Sequence, residues 1–202
     1  MERKVVRKGF QAVAGVDEVG RGALFGSVVA AAIILPLQYI TGKCPEWIGE
    51  IDDSKVLSPA RRLRLAKEIH SQARAVGIGW STHEEIDRDN ISNATLMAME
   101  RAVQALAVPP DFLLIDAVSL QGNDCPQMKL SQGDKKCVSI ACASIVAKVL
   151  RDEMVIRLDR IFDGYSLAKN KGYGTREHYQ MLKELGPSPF HRLSFNLKVK
   201  GK

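Results

Sequence analysis

"AVAGVDEVGRGALFGSVVAAAIIL" (residues 12–35) carries the reading of the fold. An apolar stretch reaches two adjacent acids, Asp17 and Glu18, turns through Gly20-Arg21-Gly22, and resumes as a run of small and β-branched residues. Residues 11–17 and 27–35 read as two strands joined by a glycine-rich turn. The carboxylates then stand at the end of a buried strand, where uncompensated charge is costly. "GRGALFG" also fits the spacing GxGxxxG. A dinucleotide fingerprint needs a helix N-terminus to receive the diphosphate. Here a β-like run follows, and the two preceding acids would repel a diphosphate.

Working outward, "LSPARRLRLAKEIHSQA" offers Ser58 as an N-cap and Pro59 at the first helical position. Leu63, Ala66, Ile69 and Ala73 are the expected apolar face. "AVGIGWSTH" reads as a third strand. "ISNATLMAMERAVQALA" reads as a helix with Leu96, Met99, Val103 and Leu106 on one side, stopped by Pro109 and Pro110. "DFLLIDAV" is a short strand that again reaches a carboxylate, Asp116. "QMKLS" is the expected edge strand. A long helix is expected from about Asp134 to Phe162, with Val146, Leu150, Met154, Leu158 and Phe162 inward. A Gly/Lys/Tyr loop, "GYSLAKNKGYGT", precedes a short helix near Arg176–Leu185. Strands alternating with helices indicate an α/β fold with a mixed sheet and helices on its faces.

Charge separates along the chain. Residues 1–147 hold 17 basic and 17 acidic side chains; residues 148–202 hold 12 and 6. A neutral body with a basic C-terminal segment points to a polyanionic partner, although a solvated tail would look the same. Cys44, Cys125, Cys137 and Cys142 lack the paired spacing of a zinc site. Cys137 and Cys142 read as small core residues, and nothing suggests disulfides, which makes a cytoplasmic setting the expectation. The longest apolar run, residues 23–37, falls short of the roughly 20 residues a bilayer span needs, so no membrane association is expected.

If the strands ending in Asp17 and Asp116 are neighbours, their carboxylates converge, with Glu18 adjacent and Asp134 a candidate fourth. Like charges in contact cannot all stay ionised unless a cation neutralises them. An all-oxygen set suits Mg²⁺ or Mn²⁺. Two such ions roughly 3.5–4 Å apart can activate water and stabilise the leaving oxygen of a phosphodiester. Taken singly, each acid has a plainer reading: Asp134 as a cap of the long helix, Asp116 as a strand-end turn residue. The four histidines are scattered and suggest no general base. Arg151 and Asp152 read as an ion pair or anchor on the long helix.

These stretches, in order, resemble bacterial ribonuclease HII: "GVDEVGRG", "DDSKVLSPARR", "NISNATLMAMERAV", "FLLIDAV", "GDKKCVSIACASIVAKVLRD", "NKGYGTREH" and "GPSPFHRLSF". The resemblance covers nearly the whole chain. It implies one RNase H-like domain over residues 1–202, a five-stranded mixed sheet flanked by helices, with a basic C-terminal helical extension from about residue 165. It implies a monomeric, metal-dependent endonuclease that cuts RNA in RNA–DNA hybrids and at single ribonucleotides in duplex DNA, leaving 3′-hydroxyl and 5′-phosphate ends. The family's metal-binding and catalytic acids map onto Asp17, Glu18, Asp116 and Asp134. Its 2′-hydroxyl-reading turn maps onto Gly20, Arg21 and Gly22, its junction tyrosine onto Tyr173, and two phosphate-side lysines onto Lys55 and Lys148. Read without the family, Tyr173 is an ordinary loop aromatic and Lys55 a solvated loop lysine. The chain departs from the usual pattern at Ala23 and Ser27, where proline is typical, at Gln132, where lysine is typical, and at Cys142, where alanine is common. A junction resolvase on the same fold, or a non-catalytic nucleic-acid-binding module, are the competing functions. The first has no use for a 2′-hydroxyl reader, and the second no need of four acids.

Overall fold

A computed structural model describes residues 1–42 and 44–198. Five strands form one sheet in the order β3-β2-β1-β4-β5: β1 Val13–Val19, β2 Val28–Ile34, β3 Ala75–Ser81, β4 Phe112–Asp116 and β5 Gln127–Leu130. The first three pair antiparallel, while β1–β4 and β4–β5 pair parallel. The helices are α1 Glu2–Val6, α2 Leu37–Thr41, α3 Pro59–Gln72, α4 His83–Gln104, α5 Val138–Asp159, α6 Leu167–Asn170 and α7 Arg176–Leu185. Short 3₁₀ turns cover Glu46–Glu50 and Gly133–Lys135. The sheet is therefore mixed, flanked by helices, with helices at the C-terminal end.

β2 is buried at all seven positions because both its faces are covered. Val28, Ala30, Ala32 and Ile34 pack in one layer with α4, and Val29, Ala31 and Ile33 in another with α3 and α5. That two-sided burial explains a near-continuous apolar run in place of alternation. The α3 face keeps Ala66, Ile69 and the partly buried Ala73 as expected, but Leu65 is buried in place of Leu63, which is exposed. Ser58 caps α3 as expected, accepting from the Arg61 N–H. The expected start near Ile91 is a kink within α4. Asn90 takes a positive φ there and accepts from the N–H groups of Ser92 and Asn93 as an internal cap. One further turn precedes it, opened by a Thr82–Glu85 capping box.

The long helix also differs. Asp134 lies in the separate 3₁₀ turn, and α5 begins at Val138. Its first turn is capped from the far end of the chain: the Glu2 carboxylate accepts from the N–H of Val138 (3.0 Å) and of Ser139 (2.7 Å). Gly15 lets this end of α5 approach β1, since a Cβ there would lie 2.3 Å from the Ser139 carbonyl carbon. Up to Ala147, α5 is buried nearly all round, which a one-sided stripe did not anticipate. Cys137 and Cys142 are buried thiols, as the sequence suggested.

A carboxylate with two charge-assisted bonds at a helix N-terminus contributes about 1–2 kcal/mol. Glu2→Ala should lower unfolding free energy by about that amount in chemical denaturation, and Glu2→Gln by less, since the amide oxygen still accepts one bond.

Candidate active site

Parallel pairing sets Val16 of β1 beside Ile115 of β4, so the next residues along, Asp17 and Asp116, are neighbours at the same end of the sheet. Asp17 lies inside β1, which continues to Val19, and not at its last position. A cleft of about 550 Å³ opens there. Its wall carries Asp17, Glu18, Asp116 and Asp134, together with Gly20, Arg21, Lys55, Lys148 and Tyr173. Of the residues singled out from the sequence, Gly22 alone stands outside this wall, exposed on the rim of its turn.

Asp17 is buried, and its carboxyl is held well above the usual carboxylate range. Burial is the main cause, and the charges of Glu18 and Asp116 add to it. A hydrogen bond from Ser144 and the Glu18 N–H (2.8 Å) act in the opposite direction. Ser144 is in turn held by Ser54, Oγ to Oγ 3.0 Å. Burial also raises Glu18, and Arg21, 3.5 Å away, offsets part of that. Asp116 accepts from the Gly133 N–H at 2.7 Å, presented by a turn in which Gln132 takes the left-handed conformation. Asp134 accepts from the Lys135 N–H at 2.9 Å. The acids share a cleft, yet among the described residues no three His, Cys, Asp or Glu side chains are set to grasp one metal ion as they stand. Glu18 is turned to Arg21, and Asp116 and Asp134 are occupied by backbone donors.

Comparison with known proteins decides the lineage. A family model described as Ribonuclease HII matches residues 14–198. The ribonuclease HII of Moorella thermoacetica is 50% identical over 194 residues, covering 96% of this chain and 91% of that one. The chain belongs to the ribonuclease HII family. Among solved structures, the ribonuclease H2 of Pyrococcus horikoshii superposes with a TM-score of 0.75 at 23% identity, over 92% of this chain and 94% of that one. A Bst ribonuclease HIII solved in complex with Mn²⁺ superposes with a TM-score of 0.66 at 22% identity, over 92% and 67%. The fold is thus that of the RNase H-like enzymes, and the chain is an endoribonuclease, a hydrolase of phosphodiesters. That sets aside the resolvase and the non-catalytic module. No helix of the described residues is long and apolar enough to cross a membrane.

Within this ribonuclease HII chain the C-terminal segment completes the cleft. Ala23 bridges to Tyr173, and the Leu24 N–H donates to the Gly172 carbonyl at 2.8 Å. Phe25 bridges to His191, and the Gly26 N–H donates to the Phe190 carbonyl at 2.9 Å. Lys148 lies 2.8 Å from Asp152 and 5.5 Å from the centre of the Tyr173 ring, so its charge is already engaged. Asp152 therefore pairs with Lys148, and Arg151 is the anchor. Lys55 stays exposed on an Asx turn built on Asp53. Lys200 and Lys202, the last basic residues of the expected C-terminal segment, lie outside the described residues.

Sequence reasoning missed one polar element: a buried histidine pair behind Tyr173. His178 Nδ1 is 3.0 Å from the Tyr173 carbonyl, His178 Nε2 is 3.0 Å from His191 Nε2, and Ser188 donates to His191 Nδ1 through its N–H (2.9 Å). One proton arrangement satisfies every contact with both rings neutral: His178 donates to the carbonyl, His191 donates to His178, and Ser188 donates to His191. "TREH" and "PFHR" gave the only hint, one histidine in the first turn of the short helix α7 and the other just beyond its end.

Burial lowers both imidazoles, and the neighbouring His178 helps take His191 down to about 4. A folded-state value below the unfolded one near 6.5 stabilises fully above pH 6.5 and loses that stabilisation as pH falls toward 4. Melting temperature should therefore drop between pH 6.5 and 4, and His191→Gln, less stable at pH 7.5, should show a shallower drop over that window in thermal melts.

Proposed function

We propose that this cleft hydrolyses the phosphodiester of ribonucleotides paired to DNA, both in RNA–DNA hybrids and at single ribonucleotides in duplex DNA. In this reading one chain acts as a complete unit, leaves 3′-hydroxyl and 5′-phosphate ends, and uses a pair of Mg²⁺ or Mn²⁺ ions. The observation that carries it is the convergence on one wall of four carboxylates, a glycine turn and an aromatic ring from the far C-terminal segment.

The donor chemistry fits hard divalent cations: the wall offers four carboxylates and no thiol or imidazole. The mutual repulsion that raises Asp17 is what a cation would relieve. Asp17, Glu18, Asp116 and Asp134 would hold it, and when bound it supplies charge stabilisation and an acidified water for in-line attack. Mn²⁺ in the ribonuclease HIII relative supports the same class of ion. Glu18 is free to leave Arg21 for this task, because a half-exposed pair at 3.5 Å holds it weakly. Arg21 would then face phosphate, with Lys55 lining the same cleft.

Ribose selection falls to the turn. Gly20 and Gly22 share a motif but differ physically. Gly20 has φ +102°, and a Cβ on it would lie 2.1 Å from Arg151 Nε, so the chain's own fold demands glycine there. Around a Cβ on Gly22 there is nothing within 4 Å. Glycine at 22 leaves room that a ribose could fill, with its 2′-hydroxyl reached by backbone groups of the turn. Tyr173 stands beside the turn, where its ring would pack on the next deoxyribose and crowd a second 2′-hydroxyl.

Gly22→Ala should melt within about 1 kcal/mol of the parent protein yet cut a duplex with one ribonucleotide about tenfold more slowly or worse. Gly20→Ala should be destabilised as well as slow. Equal cutting by the parent of two duplexes that differ in one 2′-hydroxyl would sink the ribose assignment. Asp17→Asn and Asp116→Asn should each lower turnover by about 10²-fold or more with hybrid affinity kept. Near-normal rates at saturating Mg²⁺ or Mn²⁺ would refute the metal reading.

A further inference from the structure

Arg151 and Arg192 are among the largest fully buried side chains, 1% and 0% exposed. Among the described residues neither guanidinium bonds a carboxylate. Arg151 donates from Nε to the Ser27 carbonyl (3.2 Å), from Nη1 to Lys171 (2.9 Å) and from Nη2 to Phe25 (3.2 Å). Arg192 donates from Nε to the Gly26 carbonyl (2.8 Å) and from Nη1 to those of Arg21 (3.0 Å) and Ala23 (2.8 Å). Its Nη2 is buried with no partner. Taking two cations out of water without a counter-charge is expensive. Burial accordingly lowers both, Arg192 to about 9, which still leaves it charged at neutral pH.

The acceptors are concentrated. Carbonyls of residues 21, 23, 25, 26 and 27 all end on one guanidinium or the other, and the Leu24 carbonyl takes the Arg192 N–H at 2.9 Å. The same segment is tied from its other side, where the N–H groups of Leu24 and Gly26 donate to the carbonyls of Gly172 and Phe190. Arg151 joins the two halves of the reader: its Nε lies under Gly20, its Nη1 holds Lys171, and its guanidinium carbon is 5.2 Å from the centre of the Tyr173 ring. A rigid fork suits this task, since three separate nitrogens reach three fixed carbonyls. Lysine cannot span them from one nitrogen.

We infer that Arg151 and Arg192 are positioning residues for substrate selection: they fix the distance between the Gly20–Gly22 turn and Tyr173, and with it the preference for a ribonucleotide followed by a deoxyribonucleotide. The inference rests on the proposed reading of that turn and tyrosine. It differs from a purely structural role in one respect. Loosening the fork should harm cutting at a single embedded ribonucleotide, which needs both halves in register, more than cutting of a continuous hybrid, where no deoxyribose follows the cleaved nucleotide on the same strand.

The test is a ratio. Arg151→Lys, Arg192→Lys, and the uncharged Arg151→Met and Arg192→Met are each assayed on a duplex with one ribonucleotide and on a continuous RNA–DNA hybrid. Both rates come from the same preparation, so loss of folded protein cancels. The ratio of the first rate to the second should fall about tenfold in the variants, carried by kcat with KM little changed, because small misplacements at a reacting site cost that much or more. Leu182→Ala, which thins the same C-terminal packing without touching either fork, should leave the ratio unchanged. A ratio within about threefold of the parent value in all four arginine variants, or an equal fall in Leu182→Ala, overturns the inference. An all-DNA duplex given to the parent protein separates the two ideas: if it is cut as fast as the ribonucleotide duplex, the ribose reading fails, whatever the arginine variants do.

Discussion

The parallel pairing of β1 with β4 is the constraint on which the site depends. It sets Asp17 and Asp116 side by side at one end of the sheet, with Asp17 buried between helix and strand. Most residues would answer such crowding by separating the charges. This chain instead fixes them: Ser144 and Ser54 brace Asp17, the Gly133 N–H braces Asp116, and Arg21 holds Glu18. Each brace is a neutral dipole or a weak exposed ion pair, so none cancels the negative potential. In the proposed reading that potential is what a cation would meet.

A second charge problem sits on the other side of the same turn. Arg151 and Arg192 are buried with only carbonyl oxygens for partners. Apolar residues at either position would leave these buried carbonyls without donors. What the arginines supply is direction. Carbonyl dipoles of residues 21–27 are pinned inward, and a loop that would otherwise sample many conformations has one. The histidine pair does the same for the Tyr173 loop, since two neutral rings and a serine give the Tyr173 carbonyl a fixed donor.

Much of this was legible in the sequence, for reasons that can be named. The strands ending near Asp17 and Asp116 were visible because apolar runs there meet charge abruptly, and β5 because a short alternating segment followed a loop. Helix starts at Ser58 and near Asn90 carried capping side chains. What stayed hidden depended on partners distant in sequence. Nothing near Val138 reveals that its cap is Glu2, 136 residues away. Asp134 therefore read as either a fourth acid or a cap of the long helix, and in space it belongs to a separate turn lining the cleft. Arg151 and Asp152 read as an ion pair or an anchor; Asp152 pairs with Lys148 at i−4, and Arg151 is the anchor. In α3 only the first position of the expected face failed, because Leu63 and Leu65 both fit the start of the stripe and packing against α5 and the sheet selects Leu65.

The glycines of the turn show why a sequence pattern underdetermines cause. Gly20 and Gly22 read identically in "GRG". In space one is required by a guanidinium at contact distance and by a backbone that L-residues avoid, and the other faces open space with an ordinary backbone. The first constraint is internal and would persist in a protein that bound nothing. The second leaves space beside the turn, which is what the proposed ribose reading uses. Between the two stands Arg21, its carbonyl held by Arg192 and its side chain 3.5 Å from Glu18, the contact that the proposed reading exchanges for a phosphate.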